Sequence, residues 1–263
     1  MYPKFLSEER VFEEALESLA REQELGAFTT CLLGELGVFR LEEHIERLLR
    51  DASYLGLAEL EANESSVRQL KEDISDFLAE KDHEAPLRLR FLWSKKGIHI
   101  FLSSEKPLWE SSDGVKAITV IDERTRPTHK TTDVLINREA RRKATLQGVD
   151  EALFVTPDGI LREGAWSNIF WVDREGLLYT TETKILPGIT RGAILDLTEC
   201  VLKDISLSAF MERATEAFLT QSTTGVTPLI SVNGEAIGSG KIGPVTKQLQ
   251  ADYKAKACRL NKN

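Results

Sequence analysis

The chain has 263 residues, of which 41% are hydrophobic and 29% charged, a balance typical of a globular protein. Its formal net charge of −8 argues against a general nucleic-acid-binding protein, because such proteins need a basic surface that displaces phosphate counterions. We find no apolar run near the roughly 20 residues of a membrane helix and no apolar signal-peptide core at the amino terminus. Three widely separated cysteines predict reduced thiols, with neither a disulfide framework nor a zinc site. These features predict a cytoplasmic protein without a metal, a membrane or a nucleic acid as partner.

Apolar spacing in the first half of the chain predicts a sheet with helices packed against it. In chain order, the elements are a helix over residues 8–24, a hairpin of strands at 27–33 and 38–41, helices from residue 41 and over 65–80, and strands at 87–93 and 98–102.

The second half opens with a polar segment, residues 122–132, which contains Pro127 and is therefore predicted to be a linker. A helix over 133–147 follows, then strands at 151–155, 168–172 and 177–180, a helix from about Thr190, strands at 217–220 and 228–232, and a last helix from Pro244 to about Cys258. The predicted architecture is α+β in two domains. Residues 1–122 form the smaller domain, 123–129 the linker and 130–263 the larger domain.

Several polar segments could carry chemistry, although each is weak alone. Lys130 lies in a polar loop, where a lysine is ordinarily solvated, and Glu163 could be a turn residue. Residues 186–191 could be only a loop and a helix cap, and residues 222–224 could be another polar turn. Taken together, however, these segments occur in an order and at spacings that are improbable by chance.

Together these segments resemble the class-IV aminotransferases, pyridoxal 5′-phosphate (PLP) enzymes of fold type IV. That family includes branched-chain and D-amino-acid aminotransferases and 4-amino-4-deoxychorismate lyase. The family's lysine loop matches residues 129–132, and its acidic motif matches 163–170, about thirty residues later. The remaining matches are the phosphate motif at 186–191, an upstream motif at 39–48, and tail segments at 226–228 and 240–247.

The resemblance implies a role for each matched residue. Lys130 would hold PLP as a Schiff base, and Glu163 would keep the ring nitrogen protonated, so that the ring can act as an electron sink. His44, one turn before Arg47 on the same helix face, is interpreted as a structural hydrogen-bonding residue. The other cofactor contacts implied are Arg47, Ile189, Thr190, Ser222 and Thr223 around the phosphate, and Leu186 against the ring. The resemblance also implies a homodimer.

Three hypotheses for the reaction follow. An amino-acid transaminase is favoured, because residues 186–191 and 240–247 look most like branched-chain aminotransferases. The alternative is 4-amino-4-deoxychorismate lyase, which makes p-aminobenzoate and pyruvate, because residues 26–30 and 129–132 look more like that enzyme. A non-catalytic relative is disfavoured by the intact pair of Lys130 and Glu163.

The chain also departs from the family pattern, and these departures leave the amino donor open. The charged helix at 8–24 replaces the usual amino-terminal strand, Val134 and Leu135 stand where branched-chain enzymes place a tyrosine, and residues 92–100 lack the paired arginines of D-amino-acid enzymes. The candidate substrate-binding residues are Arg88, Arg90, Arg126 and Thr29.

Overall fold

A computed structural model of the chain describes residues 4–7, 9–34, 37–57, 64–79, 87–103 and 113–259. The chain forms two compact units: residues 1–107 with 129–133 and 257–263, and residues 108–128 with 134–256. Among the described residues, no helix is long and apolar enough to cross a membrane.

The first unit is built on a five-stranded sheet of order β1-β5-β4-β2-β3. Strands β2, β4 and β5 pair antiparallel, whereas β1 pairs parallel to β5. Its elements are β1 (Lys4–Ser7), α1 (Glu9–Arg21), β2 (Ala27–Gly34), β3 (Gly37–Val38), α2 (Leu41–Tyr54), α3 (Glu64–Ala79), β4 (Leu87–Ser94) and β5 (Gly97–Ser103). The predicted helices and strands of this half are confirmed, except that the strand expected at 38–41 is only Gly37–Val38, and β1 was not predicted.

Strand alternation divides the side chains of this sheet between two groups of helices. Leu89 and Phe91 belong to the core formed with α2 and α3, because residues two apart share one face of a strand. The aromatic ring of Phe12 on α1 instead meets the rings of Phe28 and Phe101, at centroid distances of 5.8 and 5.1 Å. Each edge or tilted aromatic pair adds about 0.5–1.5 kcal/mol beyond its buried area.

Helix α2 carries polar groups into this interior. Its apolar residues Ile45, Leu48 and Leu49 are buried, as their spacing predicts. His44, Arg47 and Asp51 are buried beside them. Those three positions are three and four residues apart, so they share one side of the helix. A buried polar row of this kind needs partners, and they lie in the candidate active site.

The second unit is built on a ten-stranded sheet, in which nine strands follow the order β11-β10-β9-β13-β14-β6-β7-β8-β12 and β15 pairs with β14. Its strands are β6 (Val115–Ile121), β7 (Glu151–Val155), β8 (Ile160–Gly164), β9 (Asn168–Val172), β10 (Leu178–Thr180), β11 (Val201–Leu202), β12 (Ile205–Ser206), β13 (Glu216–Gln221), β14 (Gly225–Val232) and β15 (Glu235–Ala236). Its helices are α4 (Leu135–Leu146), α5 (Ile189–Leu195), α6 (Leu207–Arg213) and α7 (Pro244–Arg259). The prediction missed β6, β8, α6 and the two-residue strands.

The division into units differs from the predicted domains at two places. Residues 115–121 were expected in the smaller domain, but they form β6, which pairs parallel with β7 and β14 of the second sheet. Residues 129–133, expected at the linker and the start of the larger domain, group with the first unit. Both differences come from pairing between segments distant in the chain, which local periodicity does not report.

Candidate active site

Backbone hydrogen bonds fasten the segment around Lys130 to the start of β2. The carbonyl of Lys130 accepts from the Phe28 N–H at 2.9 Å, and the Thr132 N–H donates to the Gly26 carbonyl at 2.8 Å. The Gly26 N–H donates in turn to the Thr132 hydroxyl at 2.9 Å. Gly26 has no room for a side chain, because a Cβ there would lie 2.8 Å from the carbonyl oxygen of Trp93. Lys130 therefore lies on an ordered segment.

The buried carboxylate of Asp51 holds the same segment from the side of α2. Its Oδ2 accepts from the backbone N–H of Lys130 at 2.9 Å, and its Oδ1 lies 2.9 Å from Nδ1 of His129. Arg50 donates to Oδ1 from Nε and Nη2, at 3.0 and 2.8 Å. The His129 ring also stacks on Tyr54, with centroids 3.8 Å apart. Asp51 was not predicted as a site residue, although an aspartate beside the apolar stripe of α2 is a signal for a buried polar contact.

The amine of Lys130 lies against an aromatic ring. Its Nζ is 4.8 Å from the ring centroid of Phe28. A cation over an aromatic face gains about 0.5–2 kcal/mol, more where water is excluded. Because the backbone of Lys130 is also bonded to Phe28, one residue of β2 contacts both ends of the lysine.

Arg47 is joined to β2 through Thr29. The Arg47 side chain donates from Nη2 to the Thr29 hydroxyl at 2.8 Å, and that oxygen is 2.7 Å from Nδ1 of His44. Burial lowers the pKa of His44 well below its ordinary value, and the charges of Arg47, Lys130 and Arg40 lower it further. The neutral ring can therefore accept the Thr29 hydroxyl proton while the Thr29 oxygen accepts from Arg47.

Glu163 at the end of β8 is buried, and both of its carboxylate oxygens accept hydrogen bonds. Arg124 donates from Nη1 to Oε1 at 2.8 Å, whereas the Leu186 N–H and Nδ2 of Asn168 donate to Oε2 at 3.0 and 3.1 Å. A second bond from Nδ2 of Asn168 reaches the Leu186 carbonyl at 2.9 Å. Gly188 is required beside this group, because a Cβ there would overlap the Asn168 side chain. Three donors suit an ionised carboxylate.

A cavity of about 230 Å³ opens beside Glu163 in the second unit. Charged side chains of both signs are among its lining residues. Its lining residues are Asp122, Glu123, Arg124, Thr125, Pro127, Phe154, Arg162, Glu163 and Lys184.

The residues expected around a phosphate lie in both units. Ile189 and Thr190 are the first two residues of α5, and both are buried. Ser222 and Thr223 follow β13, where Nε2 of Gln221 donates to the Thr223 hydroxyl at 2.7 Å. Arg47, the fifth expected residue, belongs to the first unit.

The expected substrate-binding residues are placed less directly. Arg88 and Arg90 are half-buried on the same face of β4, and the guanidinium of Arg90 lies 4.5 Å from the ring centroid of Phe12. Arg126 is half-buried before the lysine segment. Thr29 is fully buried, and its hydroxyl is already bonded to two side chains.

Comparison with known proteins gives one family match and several relatives. The family model described as amino-transferase class IV matches residues 26–232. D-alanine aminotransferase of Bacillus licheniformis is 32% identical over 237 residues, which are 81% of each chain. Branched-chain-amino-acid aminotransferase-like protein 2 of Arabidopsis thaliana is 29% identical, over 82% of this chain and 43% of that protein.

Solved structures agree in fold. The branched-chain amino acid aminotransferase of Escherichia coli superposes with a TM-score of 0.75 at 24% identity, covering 90% of this chain and 86% of that chain. The branched-chain aminotransferase of Thermoproteus uzoniensis, solved with norvaline, gives a TM-score of 0.76 at 25% identity, over 90% and 87% of the two chains. These matches confirm the predicted α+β architecture.

Proposed function

This chain belongs to the class IV aminotransferase family, and on that premise we propose that Lys130 binds its cofactor covalently and that Glu163 is the partner of the cofactor ring. The protein is a PLP-dependent transaminase, which transfers an amino group between an amino acid and a 2-oxo acid. The observation that carries the residue assignment is the geometry around Lys130, whose backbone is fixed by two elements and whose amine lies on Phe28.

The side chains present fit PLP chemically. The cofactor needs an amine, a carboxylate for its ring nitrogen and donors for its phosphate. Lys130 offers the amine, and Glu163 offers a carboxylate that neighbouring donors keep ionised. A further supporting feature lies two residues before Ser222. There the hydroxyl of Thr220 is buried without a hydrogen-bond partner among the described residues, so that end of β13 has unused polar capacity.

Bound PLP supplies the electron sink that makes the α-proton of an amino acid removable. Lys130 would take and return that proton at Nζ, since an amine can serve as both base and acid. Phe28 holds the Nζ in place while the lysine is not bonded. Glu163 holds the ring nitrogen in its protonated form, because a carboxylate favours the charged state of a partner.

We assign the phosphate to the residues that the family motifs imply for it. Arg47 supplies the buried guanidinium, whose planar fork suits a phosphate. The Thr29 hydroxyl accepts from that guanidinium and is bonded in turn to His44, so Thr29 supports the cofactor contact through Arg47. Ile189, Thr190, Ser222 and Thr223 complete the phosphate contacts, and Leu186 packs against the ring.

For the substrate, we assign the carboxylate contact to Arg90, Arg88 or Arg126. The relatives carry names for D-alanine and for branched-chain amino acids. The proposed donors are therefore small or branched aliphatic amino acids. The working form is a cytoplasmic homodimer that acts on small molecules. An active monomer in light scattering would contradict that assembly.

The decisive experiment is reduction with borohydride followed by peptide mapping. PLP should become fixed to Lys130 of the purified protein, and Lys130→Ala should abolish both the label and turnover. Lys143→Ala is the matched control, because Lys143 is exposed on α4 and should change neither. A label on another residue of cofactor-loaded protein would refute the assignment.

The donor is identified by mixing the loaded protein with a panel of L- and D-amino acids and following absorbance. Donors convert the cofactor to its amine form in a half-reaction, whereas other amino acids leave the spectrum unchanged. Release of p-aminobenzoate from aminodeoxychorismate without an acceptor would contradict transamination as the main reaction.

A further inference from the structure

We propose that Asp51 is a positioning residue for Lys130, and that α2 thereby places Lys130 and Arg47 as one rigid set. This inference rests on the proposed function, since it concerns the lysine that binds the cofactor. Asp51 lies outside the motifs that carry the family resemblance.

The carboxylate of Asp51 is fully buried and uses both oxygens. One oxygen accepts the backbone N–H of Lys130, and the other accepts from His129, the preceding residue. An ionised carboxylate only accepts, so Nδ1 of His129 carries the donated proton. Since the carbonyl of Lys130 is bonded to Phe28, both peptide groups that flank the lysine side chain are fixed. Only the side-chain torsions of Lys130 can then vary.

The same turn of α2 carries Arg47. Residues four apart in a helix lie on one side, about 6 Å apart along the axis. On the sheet side, the contacts come from Phe28 and Thr29, which are consecutive: Phe28 bonds the lysine backbone, and Thr29 bonds Arg47. One turn of helix and one dipeptide of strand thus hold both groups, so displacement of either element moves the amine and the guanidinium together.

His129 completes the support. Its ring is held between the Asp51 carboxylate and the face of Tyr54, at an interplanar angle of 10°. Arg50 balances the charge of the carboxylate, although that arginine side chain is 44% exposed. An asparagine at position 51 has a single acceptor oxygen, so it could serve Lys130 or the Arg50 and His129 side, but not both. The arrangement therefore requires a carboxylate at position 51.

The test uses Asp51→Asn, Asp51→Ala and His129→Ala, with Asp76→Asn as the matched control on an exposed position of α3. Without added cofactor, hydrogen exchange of the 129–132 amides should speed up in both Asp51 variants and remain unchanged in the control. In the PLP-loaded enzyme, the visible circular dichroism of the bound cofactor should weaken. kcat should fall about tenfold for Asp51→Asn and about a hundredfold for Asp51→Ala, with KM changed less than twofold, because small misplacements of a reacting group have effects of this size. His129→Ala should give a smaller loss, since the bond to the Lys130 N–H remains.

Two results would overturn the inference. One is a folded, PLP-loaded Asp51→Asn enzyme with normal kcat, dichroism and exchange. The other is a lowered melting temperature with kcat unchanged at a temperature where the variant is folded, which would make Asp51 purely a stabilising residue. If Asp51→Ala does not fold, Asp51→Asn decides the question. Borohydride labelling separates this failure from that of the proposed function: label on Lys130 with normal Asp51→Asn kinetics refutes only the Asp51 role.

Discussion

The ion pair between Glu163 and Arg124 provides a way to test the proposed role of Glu163 as ring partner separately from its contribution to stability. Their side chains are 5% and 13% exposed, and Nη1 lies 2.8 Å from Oε1. Breaking a buried ion pair from one side costs about 3–5 kcal/mol. Glu163→Gln also replaces an acceptor that takes three hydrogen bonds by an amide with one acceptor oxygen, so at least one donor faces an NH₂ group.

We therefore expect Glu163→Gln to lower the free energy of unfolding by about 3–5 kcal/mol, and Arg124→Gln to have a similar effect. The double variant should lose less than the sum of the two, with a coupling of about 0.5–3 kcal/mol, because neither charge is then left opposite an uncharged group. Turnover should behave differently. kcat should fall about a hundredfold in Glu163→Gln and should stay low in the double variant, since the carboxylate is still missing.

The assay is a double-mutant cycle by urea unfolding at pH 7, with kcat measured at saturating PLP. Glu139→Gln is the matched control, because Glu139 pairs with Arg142 on the exposed surface of α4 and should change little. Strictly additive losses would show that the two side chains do not stabilise each other. Recovery of kcat in the double variant would show that the loss in Glu163→Gln came from the altered surroundings of Arg124, and it would refute the ring-partner role.

Three further predictions concern buried polar groups. Thr29→Val removes the hydroxyl between Arg47 and His44, so it should lower the free energy of unfolding by about 1–3 kcal/mol. It should also weaken PLP binding, measured by fluorescence titration. An unchanged PLP affinity would show that Thr29 does not support the phosphate contact of Arg47. Burial raises the pKa of Glu151 above its ordinary value of 4.5, so the folded state keeps a proton that the unfolded chain releases, and stability should fall as pH rises above that value. The stability of Glu151→Gln should fall less steeply with pH there, and parallel curves would contradict this. Burial lowers the pKa of His44, so just below pH 6.5 the unfolded chain takes up a proton there that the folded state does not, and stability should fall as pH drops below that value. His44→Asn should make this fall of stability with pH less steep. An unchanged pH dependence would exclude His44 as its source.

The sequence predicted the helices and strands that show a local pattern of apolar residues. The stripe of Ile45, Leu48 and Leu49 predicted α2, and alternation around Leu89 and Phe91 predicted β4, because burial of one face imposes a period on the residues that cover it. Strand β8 was missed, since five residues with an arginine and a glutamate show no clear alternation. The family, the cofactor and the transaminase activity were also reachable, because the motifs are short runs whose order is visible in the chain.

Tertiary structure alone decided which groups meet. Asp51 is 79 residues from Lys130, and Arg124 is 39 residues from Glu163, so no spacing rule links them. Thr29 as a substrate contact stays a prediction, and only the structure shows that its hydroxyl is bonded to Arg47 and His44. Local periodicity reports which face of an element is buried, whereas the partner of a buried polar group depends on how distant segments are brought together. The sequence therefore determined the family of the protein, and the fold determined which groups hold the segment around Lys130.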